Sequence, residues 1–412
     1  LAPVPTGLAW SALFAARVRG LPRPGRPHTG AVRFDFRPGR TDPATLPIAE
    51  LQGAWQRAIG RLRAHGNDFD PLGHAPLRAA IARALAGRGI AKGADEVLVT
   101  SGAQQALDLV ARALVDPGDA VAIEDPGWFL AAGAFRAAGA QLVGVGVDDE
   151  GVRVDELARV LRSRRVKLAY VTPSVQSPTG VALSAPRREA LLDLADRAQM
   201  PIVEDDYDCE LRAPAPAQPA LRALDAGDRV VYLGTFSKAL FPGLRIGYLV
   251  GAPALLRTLA TLRTVATFQP SLVDQLALAE LLARDSLERH VRRVRKRYAE
   301  RGRALAAALA AHMPEGVRFR APQGGSAIWV ELPPVLDAAA LAAAAAERGI
   351  AYGAGETFRV DRDGPPALLL SFATAAPDAI EAGVAELAAL VRRQLARSRP
   401  ALPARPASRR TP

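Results

Sequence analysis

The sequence predicts an α/β fold, with a mainly parallel sheet in a large domain and a smaller α+β domain after it. Three observations carry this. Short runs rich in β-branched residues alternate with amphipathic helical patterns between residues 97 and 250. Those apolar runs are nearly continuous, which suits strands covered on both faces. After Val250 the rhythm changes to long helices and then a few strands.

The strands expected in the first region are Val97–Thr100, Ala120–Glu124, Gln141–Val147, Lys167–Thr172, Pro201–Glu204, Arg229–Gly234 and Gly247–Val250. Helices are expected between them at Gln104–Leu114, Phe129–Ala138, Val154–Arg164 and Ala185–Ala198. Beyond them, Leu255–Thr264 and Ser271–Arg303 read as long helices, the second broken or bent within its length. Strands Val317–Ala321 and Ser326–Glu331, a helix Ala338–Arg348, a strand Ala367–Phe372 and a helix Asp378–Leu395 complete the pattern. The expected division is an N-terminal arm with part of the small domain (1–66), a large domain (67–270), a small domain (271–395) and a disordered basic tail (396–412).

Composition narrows the function classes. The chain has 412 residues, 49% of them hydrophobic, enough to bury a sizeable core. The net charge of +11 is local. Residues 284–303 hold nine Lys/Arg against three acids, and residues 392–412 hold seven arginines and no acid. The rest is close to neutral, so the chain does not present a uniform nucleic-acid surface. No apolar run is long enough to span a bilayer, so no membrane contact is expected. The single cysteine, Cys209, excludes an internal disulfide and fits a reducing compartment. The start of the chain does not read as a signal peptide, and a cytoplasmic location is expected. Lysine occurs only at positions 92, 167, 238 and 296. Where arginine suffices this sequence uses arginine, so a retained lysine points to a need for an amine.

Three segments carry chemistry. Thr100-Ser101-Gly102-Ala103-Gln104 follows a strand and opens a helix. Small residues there expose backbone N–H groups to an anion, although an ordinary strand-to-helix turn has the same look. Pro201-Ile202-Val203-Glu204-Asp205-Asp206-Tyr207-Asp208 ends a buried strand in a burst of acids. Ligands of open α/β sheets sit at such strand ends, where a carboxylate holds a cation or a protonated ring nitrogen. A metal is disfavoured because none of the five histidines (28, 65, 74, 290, 312) is near in sequence, leaving a solvated loop as the plain reading. Gly234-Thr235-Phe236-Ser237-Lys238 places an amine among apolar residues after a third strand, with Arg245 seven residues on. Partial burial makes an amine a better nucleophile toward an aldehyde. Arginine contacts phosphate bidentately. One ligand with a phosphate, a basic ring nitrogen and an aldehyde satisfies all three segments, and pyridoxal 5′-phosphate is such a ligand.

These segments resemble fold-type-I pyridoxal-phosphate proteins, the aspartate aminotransferase superfamily. Within it they are most similar to the aminotransferase-like domain of MocR/GabR-type transcription regulators, which belong to the GntR family. Phe34–Gly39, Asp70-Pro71-Leu72-Gly73, Thr172–Gly180 and Arg289–Tyr298 extend the likeness over roughly residues 30–395. The resemblance implies that Lys238 forms an aldimine with the cofactor and that Asp205 keeps the pyridine nitrogen protonated. It implies that Tyr207 and Ser177 face the ring's 3-oxygen and that Trp128 stacks on the ring. Gly102, Ala103, Gln104, Thr235, Ser237 and Arg245 would cradle the phosphate. No metal is expected.

Three departures stand out. Ser177 occupies the place of a family asparagine, Phe69 that of a tyrosine that reaches the partner's phosphate, and Leu369 that of the arginine gripping a substrate carboxylate. Either another arginine, Arg37 or Arg359, takes the carboxylate, or the ligand is not an ordinary α-amino acid. The function implied is amine or amino-acid sensing in a homodimer, with DNA contacted only through a winged-helix domain that would precede Leu1. A free-standing class I/II aminotransferase is the alternative. Another pyridoxal-phosphate reaction, such as β-elimination or decarboxylation, shares every motif.

Overall fold

The computed structural model of the chain describes residues 8, 10–19, 21, 31–211 and 218–398. Its strands are β1 (Phe34–Phe36), β2 (Val97–Thr100), β3 (Ala120–Asp125), β4 (Gln141–Asp148), β5 (Gly151–Val152), β6 (Leu168–Val171), β7 (Ile202–Asp205), β8 (Val230–Thr235), β9 (Gly247–Val250), β10 (Arg318–Phe319), β11 (Ala327–Glu331), β12 (Ile350–Ala354) and β13 (Ala367–Ser371). Among the described residues they form two sheets. An eight-stranded sheet runs β2-β9-β8-β7-β6-β3-β4-β5, and a five-stranded sheet runs β1-β12-β13-β11-β10.

The continuous apolar runs of the large sheet are buried on both faces. Val97 and Val99 of β2 enter one core cluster while Leu98, between them, enters another. Val121 and Ile123 of β3 face a different cluster from Ala122. This is the period-2 alternation of a strand with two apolar coverings.

The second half differs from the expected pattern in detail. The long helical segment breaks at Asp285, which adopts left-handed φ/ψ, giving helices Leu272–Ala283 and Ser286–His312. Leu276–Leu281 pack into the cluster that holds Val97, Val99 and Ile246 of the large sheet. The charged stretch lies in the second of these helices. Leu287, Val291, Val294 and Tyr298 are buried and Arg289, Arg292, Arg293 and Lys296 exposed, a solvated face at helical spacing. The final helix runs from Pro377 to Ser398, three residues into the segment expected to be disordered. Residues 399–412 lie outside the described residues, as do most of 1–30.

Topology fixes where a ligand can sit. β3, β6, β7 and β8 are mutually parallel, and β9 is antiparallel to both β8 and β2. The carboxyl ends of β2, β3, β6, β7 and β8 therefore share one edge with the start of β9. That edge is where ligands of open α/β sheets bind.

Candidate functional site

Each sequence motif leaves one of these strand ends. Thr100-Ser101-Gly102 follows β2, Asp125–Trp128 ends and follows β3, and Thr172–Gly180 follows β6. Asp205–Asp208 ends and follows β7, and Thr235–Lys238 ends and follows β8. Arg245 lies two residues before β9, whose Gly247 is registered against both Thr100 and Thr235. Antiparallel pairing thus brings Arg245 between the two hydroxyl-bearing turns.

The end formed by β2, β8 and β9 is a cradle. Gly102 caps helix Ala103–Leu114 with φ 89° and ψ 167°, a region that glycine enters and other residues do not. Ala103 and Gln104 occupy the first helical turn, where N–H groups have no intrahelical acceptor. Arg245, itself left-handed at φ 52°, donates from Nη2 to Ser101 O at 2.9 Å. A Cβ at Gly102 would sit 2.7 Å from that same Nη2, and one at Gly247 would sit 2.8 Å from Gly102 C. The backbone and guanidinium therefore meet with no room for a methyl group. Thr235 Oγ1 accepts from Ser237 N at 3.2 Å, and Ser237 Oγ is buried without a partner.

The other end is carboxylate-rich. Asp205 is 3% exposed. Its Oδ2 accepts from Tyr170 OH at 2.8 Å, while Oδ1 has no partner. Burial first, then neighbouring Asp206, raises its pKa to about 7, against the Tyr170 hydrogen bond and the Lys238 charge that pull it down. Asp208, also buried, is pushed up to about 6 by burial, with Lys238 again opposing. Lys238 is half-buried, with Nζ 5.9 Å from the centre of the Tyr207 ring. The Tyr207 hydroxyl is hydrogen-bonded with the Ser177 side chain, and burial holds its pKa well above the usual phenol value. Lys238, Asp205, Tyr207 and Ser177 thus form one group.

Trp128 joins through its loop. Gln176 Nε2 donates to Pro126 O at 2.9 Å and to Glu124 Oε2 at 3.2 Å, and Gln104 Nε2 donates to Leu130 O at 3.0 Å. The Trp128 ring packs on Phe129 at 4.8 Å and Phe358 at 6.4 Å between ring centres. Leu369 lies in the cluster of Trp329 and Phe358 against which Trp128 and Phe129 pack. Of the two arginines weighed for a carboxylate, Arg37 is committed to Asp35 through Nε at 2.8 Å and Nη2 at 2.6 Å.

Sequence reasoning passed over three residues here. Tyr170 sits inside an apolar run and Glu124 at the end of one, and both read as plain strand residues. Glu124, raised to about 7 by burial, accepts from Thr172 and Gln176 beneath the Ser177 loop. Asp125 accepts from the backbone N–H groups of Val360, Asp361 and Arg362 at 3.0–3.1 Å. Only an acid ending an apolar run could have flagged Glu124 and Asp125, and nothing in the sequence flags Tyr170.

The residues fit a ligand that has a phosphate and a cationic ring nitrogen. The buried Asp205 Oδ1 lacks a donor, Ser237 Oγ lacks a partner, and the glycine-lined cradle sits beside a guanidinium. Gly102→Ala is expected to cost about 1–3 kcal/mol through its backbone region alone. It should also displace Arg245. Thermal melts and phosphate-ligand retention, compared with wild type, measure both effects.

The model of the family "Aminotransferase class I and II" matches residues 49–387. The aromatic-amino-acid aminotransferase 1 of Thermococcus litoralis is 32% identical over 87% of each chain. The probable rhizopine catabolism regulatory protein MocR of Rhizobium meliloti is 33% identical over 81% of this chain and 68% of its own length. Among solved structures, LysN, the alpha-aminoadipate aminotransferase of Thermus thermophilus, was crystallised with N-(5′-phosphopyridoxyl)-L-leucine. It is 34% identical, with a TM-score of 0.84 over 94% of this chain and 100% of that one.

Proposed function

The chain belongs to the class I and II aminotransferase family, whose cofactor is pyridoxal phosphate, and from that premise we propose that it is the ligand-sensing domain of a MocR/GabR-type transcription regulator. It would capture an amine or amino acid on the cofactor aldehyde, in exchange for Lys238. DNA is contacted through a separate winged-helix domain. One observation carries the choice of sensing. The β13 position that the family resemblance assigns to a carboxylate-binding arginine is Leu369, buried in an apolar cluster. With no guanidinium on that strand the carboxylate anchor implied by the family is displaced from its usual place, and a shifted ligand orientation costs a catalyst more than a sensor. The likeness to MocR supports the same reading.

When bound, the cofactor supplies an aldehyde to capture an amine and a protonated ring to draw electrons from a bond at Cα. Asp205 Oδ1 would hold the proton on the ring nitrogen, and the Tyr170 hydroxyl fixes the carboxylate's orientation. Ser177 and Tyr207 keep each other's hydroxyls aimed at the ring's 3-oxygen. Gly102, Ala103, Gln104, Thr235, Ser237 and Arg245 anchor the phosphate, and Trp128 covers the ring. Lys238 Nζ would attach the cofactor and would be the base for any proton transfer at Cα. Residues 67–270 form the cofactor-binding part, completed by 1–66 and 271–395.

A free-standing aminotransferase is the second reading, favoured by the match to the Thermococcus enzyme over 87% of both chains. The two separate when the holoprotein is mixed with single amino acids and the 2-oxo acid released is measured by chromatography. Sensing predicts an absorbance change on binding with no 2-oxo acid. Stoichiometric release followed by turnover with a second oxo acid would establish the enzyme.

We also propose a homodimer. Val265 is 79% exposed, and Phe268, three residues on, stacks on Phe69 at 4.5 Å with both rings exposed. Such a patch favours burial against a partner. Sedimentation of the holoprotein at micromolar concentration is expected to give twice the chain mass, and a monomer that retains cofactor overturns this.

A further inference from the structure

A cleft opens between the edge of the large sheet and the edge of the small one. Its wider part, about 740 Å³, is walled by Val147, Val181, Phe319 and Trp329. A second part, about 340 Å³, shares Val147, Asp148, Thr179 and Glu331 with it and extends to Pro126 and Arg359. The cleft thus reaches both loops that carry candidate ring contacts, since Pro126 precedes Trp128 by two residues and Thr179 follows Ser177 by two.

This second part contains six charged residues, and five of them are satisfied. Asp125 accepts three backbone N–H groups. Asp148 is held by Arg187 at 2.6 and 2.8 Å, and Glu331 by Arg318 at 2.9 Å. Arg153 lies 3.5 Å from Asp155 and 3.7 Å from Glu156, and Arg362 pairs with Glu156. Arg359 is the exception. Among the described residues it forms no ion pair, and its one side-chain hydrogen bond runs from Nη2 to Pro365 O at 2.9 Å. Its guanidinium lies across Gly364, where a Cβ would come within 2.1 Å of Nη1.

The loop that carries Arg359 is fastened to the large sheet. Besides the three bonds to Asp125, Gly127 N donates to Phe358 O at 2.8 Å and Gly144 N to Asp361 Oδ2 at 3.1 Å. Phe358 packs edge-on against Phe129 and Trp329. A half-buried guanidinium is therefore held at a fixed place with donors to spare, in a cleft whose acids already have partners. Such a fork matches a carboxylate.

We propose that Arg359 grips the carboxylate of the captured amine, so that the ligand is an amine bearing a carboxylate, held from the Gly355–Pro366 loop and not from β13. Arg37 does not compete for this role, because Asp35 already occupies its fork. The proposal rests on the reading that the cofactor held at Lys238 would take up an amine. It adds which end of the ligand is recognised and by what.

The test uses the holoprotein and three probes: L-norleucine, pentylamine (the same chain without the carboxylate) and hexanoate (the carboxylate without the amine). Apparent Kd is read from cofactor absorbance for the two amines and from titration calorimetry for hexanoate. Arg359→Leu is expected to weaken norleucine and hexanoate by roughly 10- to 100-fold, the loss of a charge-assisted pair, with little effect on pentylamine. Arg359→Lys, which keeps the charge without the fork, should fall between. Arg359→Gln carries the same test if the leucine variant does not hold cofactor. Equal losses for norleucine and pentylamine, or no loss for norleucine and hexanoate, overturn the assignment. If hexanoate binding depends on Arg359 while neither amine changes the absorbance of wild type, the carboxylate grip stands and the amine-capture reading falls.

Discussion

Lys238→Ala is expected to abolish covalent attachment of the cofactor and to slow any proton transfer at Cα by about 10²–10⁴-fold. The magnitude follows from the absence of a substitute amine. Lys92 is committed to Glu96 at 2.9 Å and Asp228 at 3.2 Å, and Lys167 lies 3.6 Å from Asp119. Lys296 is on the exposed face of the long basic helix. Only Lys238 sits at the end of β8, half-buried beside Tyr207, with Asp205 and Asp208 close enough to feel its charge. Borohydride reduction followed by peptide mass spectrometry reads the result directly. Wild type should carry one cofactor mass on the peptide containing Lys238, and the alanine variant none. Lys238→Arg separates charge from nucleophilicity, since arginine keeps the positive end but is not deprotonated. It should retain the fold and form no adduct. A reduced adduct on another lysine in the alanine variant would remove Lys238 from the centre of the mechanism.

The site was legible where chemistry and topology coincide. β2, β3 and β6–β9 are buried on both faces, so their apolar runs stand out, and the polar residues that end them are conspicuous. Lys238 and Asp205 are of this kind. Residues whose role depends on a distant segment were not legible. Tyr170 looks like any core aromatic of β6 until β7 is laid beside it and the hydroxyl meets Asp205. Asp125 acts on backbone more than two hundred residues away, and no local pattern encodes three N–H donors from the Val360–Arg362 turn. β1 is only three residues long and pairs in parallel with β12, so neither strand had a local signal strong enough to read. The helix Ile48–His65 was missed because only Ala54 and Ala58 of its residues are fully buried, leaving a weak apolar stripe. Leu369 is the reverse case. The sequence showed an arginine replaced, and packing against Trp329 and Phe358 explains how the apolar residue is accommodated without showing what took over. The sequence left Arg37 and Arg359 both open for the carboxylate, and only the pairing of Arg37 with Asp35 and of the other charges in the cleft separates them.

Asp205→Asn is expected to lower cofactor-dependent proton exchange at Cα by at least about 100-fold, the usual scale for removing one preorganised electrostatic contact. Asparagine preserves shape and the Tyr170 contact but cannot hold a positive ring nitrogen. The same variant has a pH signature that a merely structural role would not produce. Burial raises the Asp205 carboxyl to about 7 without cofactor, above its ordinary 3.8. The sign follows from proton counts. Below about pH 4 both folded and unfolded chains carry the proton, and Asp205 contributes no slope. Between about 4 and 7 the unfolded chain has released it while the folded chain retains it, so stability falls as pH rises. Above about 7 both are ionised and the penalty is complete. Glu124, Glu204 and Asp208 are raised by the same cause and slope the same way, so the difference between wild type and Asp205→Asn isolates one group. Cofactor-free wild type should therefore lose melting temperature more steeply between pH 4 and 7 than the variant does. Bound cofactor places a positive nitrogen beside the unpartnered Oδ1 and draws the carboxyl down. The melting-temperature gain on loading cofactor should then be larger at pH 8 than at pH 6 in wild type, and nearly constant in Asp205→Asn. Parallel melting curves for the two proteins, with and without cofactor, would mean that Asp205 does not meet the ring nitrogen.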